Sequence, residues 1–162
     1  MERNEEDCAE FKRNIAVHYH PEQLVFTNES HFNQLTLRRP HAWAKHGERA
    51  SCHEFQFRGA KYSMLPALSL DGILHLDIVE NAVTGTTFHH FVEGLLPCMN
   101  KWPLPNSVLV VDNASIHKVD GIRELVEASG MRLMFLPAYS PDLNPIEPFR
   151  ALRRGCVRIV VA

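Results

Sequence analysis

No segment approaches the roughly 20 consecutive apolar residues that a membrane-spanning helix requires, so nothing in the sequence reads as a membrane span. The opening MERNEEDCAEFKRN is acidic and polar, so neither a secretory signal nor an Arg-rich transit peptide is expected here. Cysteine is scarce: Cys8, Cys52, Cys98 and Cys156 are scattered without a C-x-x-C. A disulfide framework is therefore not indicated, and free thiols in a reducing compartment are expected. The histidines outside the later motif, among them His89 and His90, show no zinc-ligand spacing. No G-x-x-x-x-G-K-[ST] occurs, which excludes a P-loop NTPase. Ser63, Ser69 and Ser140 stand outside any nucleophile-elbow context, so serine hydrolase chemistry has no support. Internal repeats and low-complexity tracts are also lacking.

Neither sign of charge dominates: 17 basic residues face 19 acidic ones, for a net charge of −2. The chain as a whole is thus no basic nucleic-acid binder, yet its charge is unevenly placed. Residues 1–10 carry Glu2, Glu5, Glu6, Asp7 and Glu10 against Arg3, whereas Arg38, Arg39, Lys45, Arg49, Arg58 and Lys61 gather within residues 38–61. Such a block reads either as a solvated face or as a phosphate-contacting surface. Trp43 within it could stack on a base or anchor a loop. What is present otherwise is ordinary for a globular domain: 162 residues, 45% apolar and 22% charged, enough to bury a core.

Periodicity predicts the elements. Residues 1–21 read as a polar lead-in with a short helix around Ala9–Val17. Leu24-Val25-Phe26 reads as a strand ending near Asn28, and 33–60 as a long basic loop or loose hairpin. Tyr62–Leu70 and Ile73–Val79 are strand-like and joined by Asp71-Gly72, a strong hairpin signal. Phe88, Phe91, Val92, Leu95, Leu96 and Met99 form one apolar helical face, ended by Pro103 and Pro105. Val108–Val111 is the continuous apolar run of a strand buried on both faces. Ile122, Leu125 and Val126 mark a second helix closed by Gly130, and Leu133–Leu136 another strand. Asn144, Pro145 and Glu147 then suit the N-cap, N1 and N3 positions of a last helix. The order predicts an α/β fold: three antiparallel strands, then alternating helix and strand, giving a mixed sheet with flanking helices.

In an open α/β sheet, ligands gather at the carboxyl ends of the parallel strands. Asp112 stands directly after the Val108–Val111 strand, and Glu147 opens a helix that returns to the same edge. Two carboxylates so placed suit a hard divalent cation. A turn residue and a helix cap are the plainer alternatives.

Val110-Val111-Asp112-Asn113-Ala114-Ser115-Ile116-His117-Lys118 and Leu136-Pro137-Ala138-Tyr139-Ser140-Pro141-Asp142-Leu143-Asn144-Pro145-Ile146-Glu147 resemble the linked motifs of the mariner-type DDE transposases. Thirty-four residues separate Asp112 from Glu147, the interval between the second and third acids in one branch of that family. Leu24–Asn33 and Arg49–Leu76 are similar to its earlier strands. The resemblance covers residues 22–150 as a catalytic domain, with 151–162 as a shortened tail. It implies a ribonuclease-H-like fold, DNA as partner, a nuclear location, no small-molecule cofactor and room for a homodimer. It also implies Mg²⁺- or Mn²⁺-dependent cleavage and transfer of DNA phosphodiesters by two ions about 4 Å apart. Asp112 and Glu147 would be metal-binding carboxylates, with Arg38, Arg39, Lys45, Arg49, Arg58, Lys61 and His117 toward DNA.

At the first acidic position the family has Asp, where this chain has Asn28. Asn keeps an oxygen but loses the charge, so loss of metal and of catalysis is expected. Glu29 is not expected to substitute, because adjacent strand residues point to opposite faces. No helix-turn-helix precedes the matched region, and Gly155 with Val157–Val161 breaks the long helix the family has after its last acid. The expectation is an impaired DDE endonuclease domain. The alternatives are a non-catalytic remnant that binds nucleic acid or a partner through residues 38–61, and a fragment with no function of its own.

Overall fold

The computed structural model describes residues 3–32, 44–47, 61–113 and 121–147. The long basic segment, apart from residues 44–47, and the tail after Glu147 lie outside the described residues.

The first helix, α1 (Glu5–His18), is longer than the short helix expected around Ala9–Val17. Its start is fixed by Asn4, whose side chain accepts a hydrogen bond from the Glu6 N–H, and by Glu5, Glu6 and Asp7 in the first turn, where acids complement the helix dipole. The acids that look like a polar lead-in are the opening turn of a helix. Strand β1 (Leu24–Thr27) follows, then β2 (Ser30–Phe32), β3 (Tyr62–Ser69) and β4 (Gly72–Glu80).

Phe26 faces Leu68 and Thr27 faces Ala67, while Ser30 faces Met64 and His31 faces Ser63. The register is the same on both sides of the gap, so β1 and β2 are one strand interrupted at Asn28–Glu29. Continued through the gap, that register sets Asn28 opposite Pro66, which has no N–H to give the ladder. The strand expected to end near Asn28 therefore resumes beyond it. The β3–β4 hairpin forms as expected, but one residue out of step: Ser69 pairs with Gly72, leaving Leu70-Asp71 as the two-residue loop. Gly72 takes φ +132°, a conformation glycine adopts at least cost, as the first residue of β4.

Helix α2 (Gly85–Leu95) starts at Thr84, whose hydroxyl accepts from the Thr87 N–H. It stops earlier than Pro103 and Pro105 would require, because Pro97 cannot donate the next helical bond and Leu96–Cys98 tighten into a 3₁₀ turn. Strand β5 (Val108–Val111), helix α3 (Ile122–Ala128) and strand β6 (Arg132–Phe135) complete the regular elements. Gly130, at φ +84°, ends α3 as expected. Its N–H donates to Glu127 O and the Met131 N–H to Val126 O, the paired bonds of a Schellman cap.

The sheet has six strands by pairing, with β4 at one edge beside β3 and β6 at the other beside β5. Strand β1 is central: antiparallel to β3 on one side and parallel to β5 on the other, with β6 parallel to β5. Alternation along β5 explains its unbroken apolar run. Leu109 and Val111 join Val25 and Leu65 under Phe88, Phe91, Val92 and Leu95 of α2 and Ile122 and Val126 of α3. Val108 and Val110 join Leu24 and Leu136 on the opposite face, where Phe11 and Ile15 of α1 pack with Tyr19. The result is the mixed sheet with helices on both faces that the element order predicts, in the ribonuclease-H-like arrangement that the family resemblance implies.

Candidate functional site

The site forms where β1 and β5 end side by side. Leu24 pairs with Val108, Val25 with Leu109 and Phe26 with Val110. Continued two residues in step, this parallel register sets Asn28 beside Asp112. Two residues far apart in sequence are thus presented together at the carboxyl edge, where α/β sheets hold ligands.

Glu147 reaches the same edge through a short, tightly bonded route. Beyond β6, the Leu136 N–H donates to Val111 O at 2.8 Å, tying the departing chain to the end of β5. The chain turns through a 3₁₀ segment, Pro141–Leu143, and arrives at Asn144, which is 1% exposed. Asn144 is the expected N-cap, since its Oδ1 accepts from the Ile146 N–H at 3.1 Å. It also does something no local pattern signals: its Nδ2 donates to Thr27 O at 3.2 Å. One buried amide therefore starts the turn that carries Glu147 and fastens that turn to the last residue of β1.

Asn28 and Glu147 then meet. Asn28 Nδ2 donates to Glu147 Oε1 at 2.6 Å, and Asn28 Oδ1 accepts from the Glu29 N–H at 2.8 Å. The backbone N–H fixes which end of the amide is oxygen, so the nitrogen faces the carboxylate. A hydrogen bond to an ionised acceptor is short and strong, and Asn28 makes it from a buried position. Asp112 is half-buried at the neighbouring strand end, and Asn113 beside it is exposed.

Glu29 points away, as alternation requires. Its Oε1 accepts from the Val83 N–H at 3.1 Å and lies 3.3 Å from His31 Nε2. His31 Nδ1 is 2.8 Å from Ser63 Oγ, which suggests a Ser-His-Glu row, but the hydroxyl donates to Asn81 O at 2.5 Å and Ser63 is fully buried. With its proton committed, Ser63 accepts from His31 Nδ1 and has no nucleophilic role. Asp77 pairs with His75 at 3.3 Å on β4, and Asp71 lies in the hairpin loop.

Of the residues read toward DNA, Lys45 and Lys61 are exposed; Arg38, Arg39, Arg49, Arg58, His117 and also Trp43 lie outside the described residues. Among the described residues no group of three or more His, Cys, Asp or Glu side chains is arranged to hold a metal ion.

The loop carrying Glu147 has a second anchor that the sequence does not advertise. Arg3 donates to both carboxylate oxygens of Asp142, at 2.7 and 3.3 Å, a bond that raises the guanidinium pKa above its ordinary value. Buried Cys8 Sγ lies 3.0 Å from Ser140 Oγ. The N-terminal helix is thus latched to the loop that delivers the acid.

Comparison with known proteins agrees with this geometry. The family model described as DDE superfamily endonuclease matches residues 23–154. No curated protein matches. Among solved structures, the Mos1 transposase paired-end complex with left transposon end superposes with a TM-score of 0.74 at 19% identity, over 95% of this chain and 49% of that one. The Mos1 mariner paired end complex with Mn gives 0.70 at 16% identity, over 94% and 50%. The Mos1 transposase catalytic domain with Raltegravir and Mg gives 0.67 at 16% identity, over 98% of this chain and 77% of that one. The chain spans about half the length of the Mos1 chains in the two paired-end complexes. With the sheet order, the strand-end pair Asn28 and Asp112 and the capped Glu147 in place, the chain belongs to the DDE superfamily endonucleases and has the fold of the Mos1 mariner transposase catalytic domain.

Proposed function

We propose that this chain is a DNA-binding DDE domain in which phosphodiester cleavage is impaired because Asn28 stands at the first acidic position. One observation carries the reading: the 2.6 Å hydrogen bond from Asn28 Nδ2 to Glu147 Oε1. Three carboxylates brought to one strand edge repel each other unless a cation lies among them. An amide in place of the first removes one charge and gives Glu147 a donor. The site closes on itself with no ion required.

The residues do not fit the divalent ions that the family implies. Asp112 and Glu147 supply carboxylates of the right hardness. Asn28 directs a nitrogen, not an oxygen, at Glu147, and its oxygen is already held by the Glu29 N–H. No cleavage step is therefore assigned to this chain as it stands. The likeness to transposon-end complexes supports DNA as the partner, and exposed Lys45 and Lys61 supply charge for a phosphate surface. A DNA complex held by phosphates weakens steeply as salt rises; a flat salt response would remove DNA from this reading.

The test is Mn²⁺-supported nicking of supercoiled DNA by the chain and by its Asn28→Asp variant, with melting temperature as a second readout. The expected result is cleavage by the variant alone. The variant should also melt below the parent in EDTA, because two carboxylates then face each other, and regain several degrees with Mn²⁺. The parent should not respond to the metal. Cleavage by the parent would overturn the impairment.

A further inference from the structure

Three non-glycine residues among those described take positive φ: Asn81, Asn106 and Tyr139. Asparagine tolerates the left-handed region because its short polar side chain bonds locally. For a bulky aromatic the same conformation is an outlier, and such strain gathers at functional sites. Tyr139 holds φ +56° and is also 62% exposed, behind only Val17 and Leu70 among the large apolar residues described. Neither burial nor backbone comfort explains a tyrosine there.

Its position does. Three residues before it, Leu136 is bonded to Val111, the residue preceding Asp112. One residue after it, Ser140 is buried against Cys8, and five after it Asn144 is bonded to Thr27, the residue preceding Asn28. Three extended residues reach at most about 11 Å, so Tyr139 stands within that span of the Leu136 anchor at the site's edge. Because the loop is fixed on both sides, the surrounding structure can hold the strained residue in place.

We infer that Tyr139 is a stacking platform for an unpaired base beside the strand-end site. An aromatic ring stacks on any base through its π-face but cannot reach a base inside a duplex, so it selects frayed or single-stranded DNA over paired DNA. This rests on the reading of DNA as partner and adds the form of DNA preferred at the site.

The test measures binding of the full chain to a fluorescein-labelled duplex with a short unpaired fork, against the blunt duplex of the same sequence. The parent should prefer the fork by roughly 5- to 150-fold, the range that one stacked base supports. Tyr139→Phe should keep the preference. Tyr139→Gly and Tyr139→Asn should lose it while melting at or above the parent temperature, because both residues suit a positive φ. Gain of stability with loss of preference is an outcome that a merely structural tyrosine would not give. A fork preference that survives in both variants overturns the inference. Equal binding of the two duplexes by the parent overturns it while leaving DNA as partner, and binding to neither duplex overturns both.

Discussion

The two faces of the sheet are unequally built. Among the described residues, sixteen buried apolar side chains make up the core between the sheet and α2 and α3, among them Phe88, Phe91, Leu95 and Leu109 at zero exposure. On the α1 side the described residues give four, Leu24, Val108, Val110 and Leu136, with partly buried partners such as Phe11 and Ile15 around them. Apolar burial is the main source of folding free energy, so of the described residues those on the first face contribute more of it. The second face carries less burial but more of the polar ties to the site loop: Arg3 to Asp142, and Cys8 to Ser140. A domain built this way can keep its sheet while its third acid drifts, and the most informative substitutions are those that separate the two.

The largest effect is expected at Phe91. Its ring is fully buried, 5.9 Å from Phe88 and 5.5 Å from the His75 ring by centroids. Phe91→Ala should cost about 3–5 kcal/mol, the range for an aromatic lost from a core, and lower the melting temperature by about 10 °C. Phe11→Ala, on the α1 face, removes a half-buried ring and should cost about 1–2 kcal/mol. Thermal unfolding of the pair measures the asymmetry directly. Equal losses would show that the two faces share the load.

Next comes Asn144, where the fold meets the site. Asn144→Ala leaves the Thr27 carbonyl and the Ile146 N–H without their side-chain partner and should cost about 1–3 kcal/mol. Asn144→Asp keeps the cap acceptor but sets an unpaired carboxylate oxygen against Thr27 O in a buried position, so it should be no more stable than Asn144→Ala. In the Asn28→Asp background, both should also weaken the Mn²⁺-dependent rise in melting temperature, because Glu147 is delivered by this turn. An unchanged metal response would mean that Glu147 is held from elsewhere.

That Asn144 caps the turn is readable from Asn-Pro-Ile-Glu, since capping is a local contact over two residues. Its bond to Thr27, 117 residues away, is set by the sheet and leaves no local trace. The same division holds across the molecule. The buried run of β5, the apolar face of α2 and the Gly130 cap all follow from periodicity or one residue's conformational freedom. Boundaries fared less well for identifiable reasons. Asp71-Gly72 marks a turn without fixing whether glycine sits inside it or just after, and the structure puts Gly72 after. Pro97, inside the apolar pattern, ends α2 before the later prolines can. The Asn4 cap and the acids behind it are a helix start that reads at first as mere charge. Asn28, Asp112 and Glu147 were legible as one set only through family resemblance. Which end of the Asn28 amide faces Glu147 depends on the Glu29 N–H, a detail of three dimensions.

The smallest effect has the opposite sign and tests the strong face where it borders the site. Thr27 is fully buried, and its Oγ1 has no hydrogen-bond partner among the described residues. By alternation it lies on the same face as Val25, under the α2 side of the core. A buried hydroxyl without a partner carries its desolvation cost uncompensated, whereas an apolar group of the same shape does not. Thr27→Val should therefore stabilise the chain by about 1 kcal/mol, read as a rise of about 2–4 °C in melting temperature. The Asn144 tie should be untouched, since it uses the Thr27 carbonyl and not the side chain. A drop on removing the hydroxyl would show that Oγ1 has a partner in solution. The α2 face would then contain a polar contact at the site's floor, and the division between a face that holds the fold and a face that holds the site would have to be redrawn there.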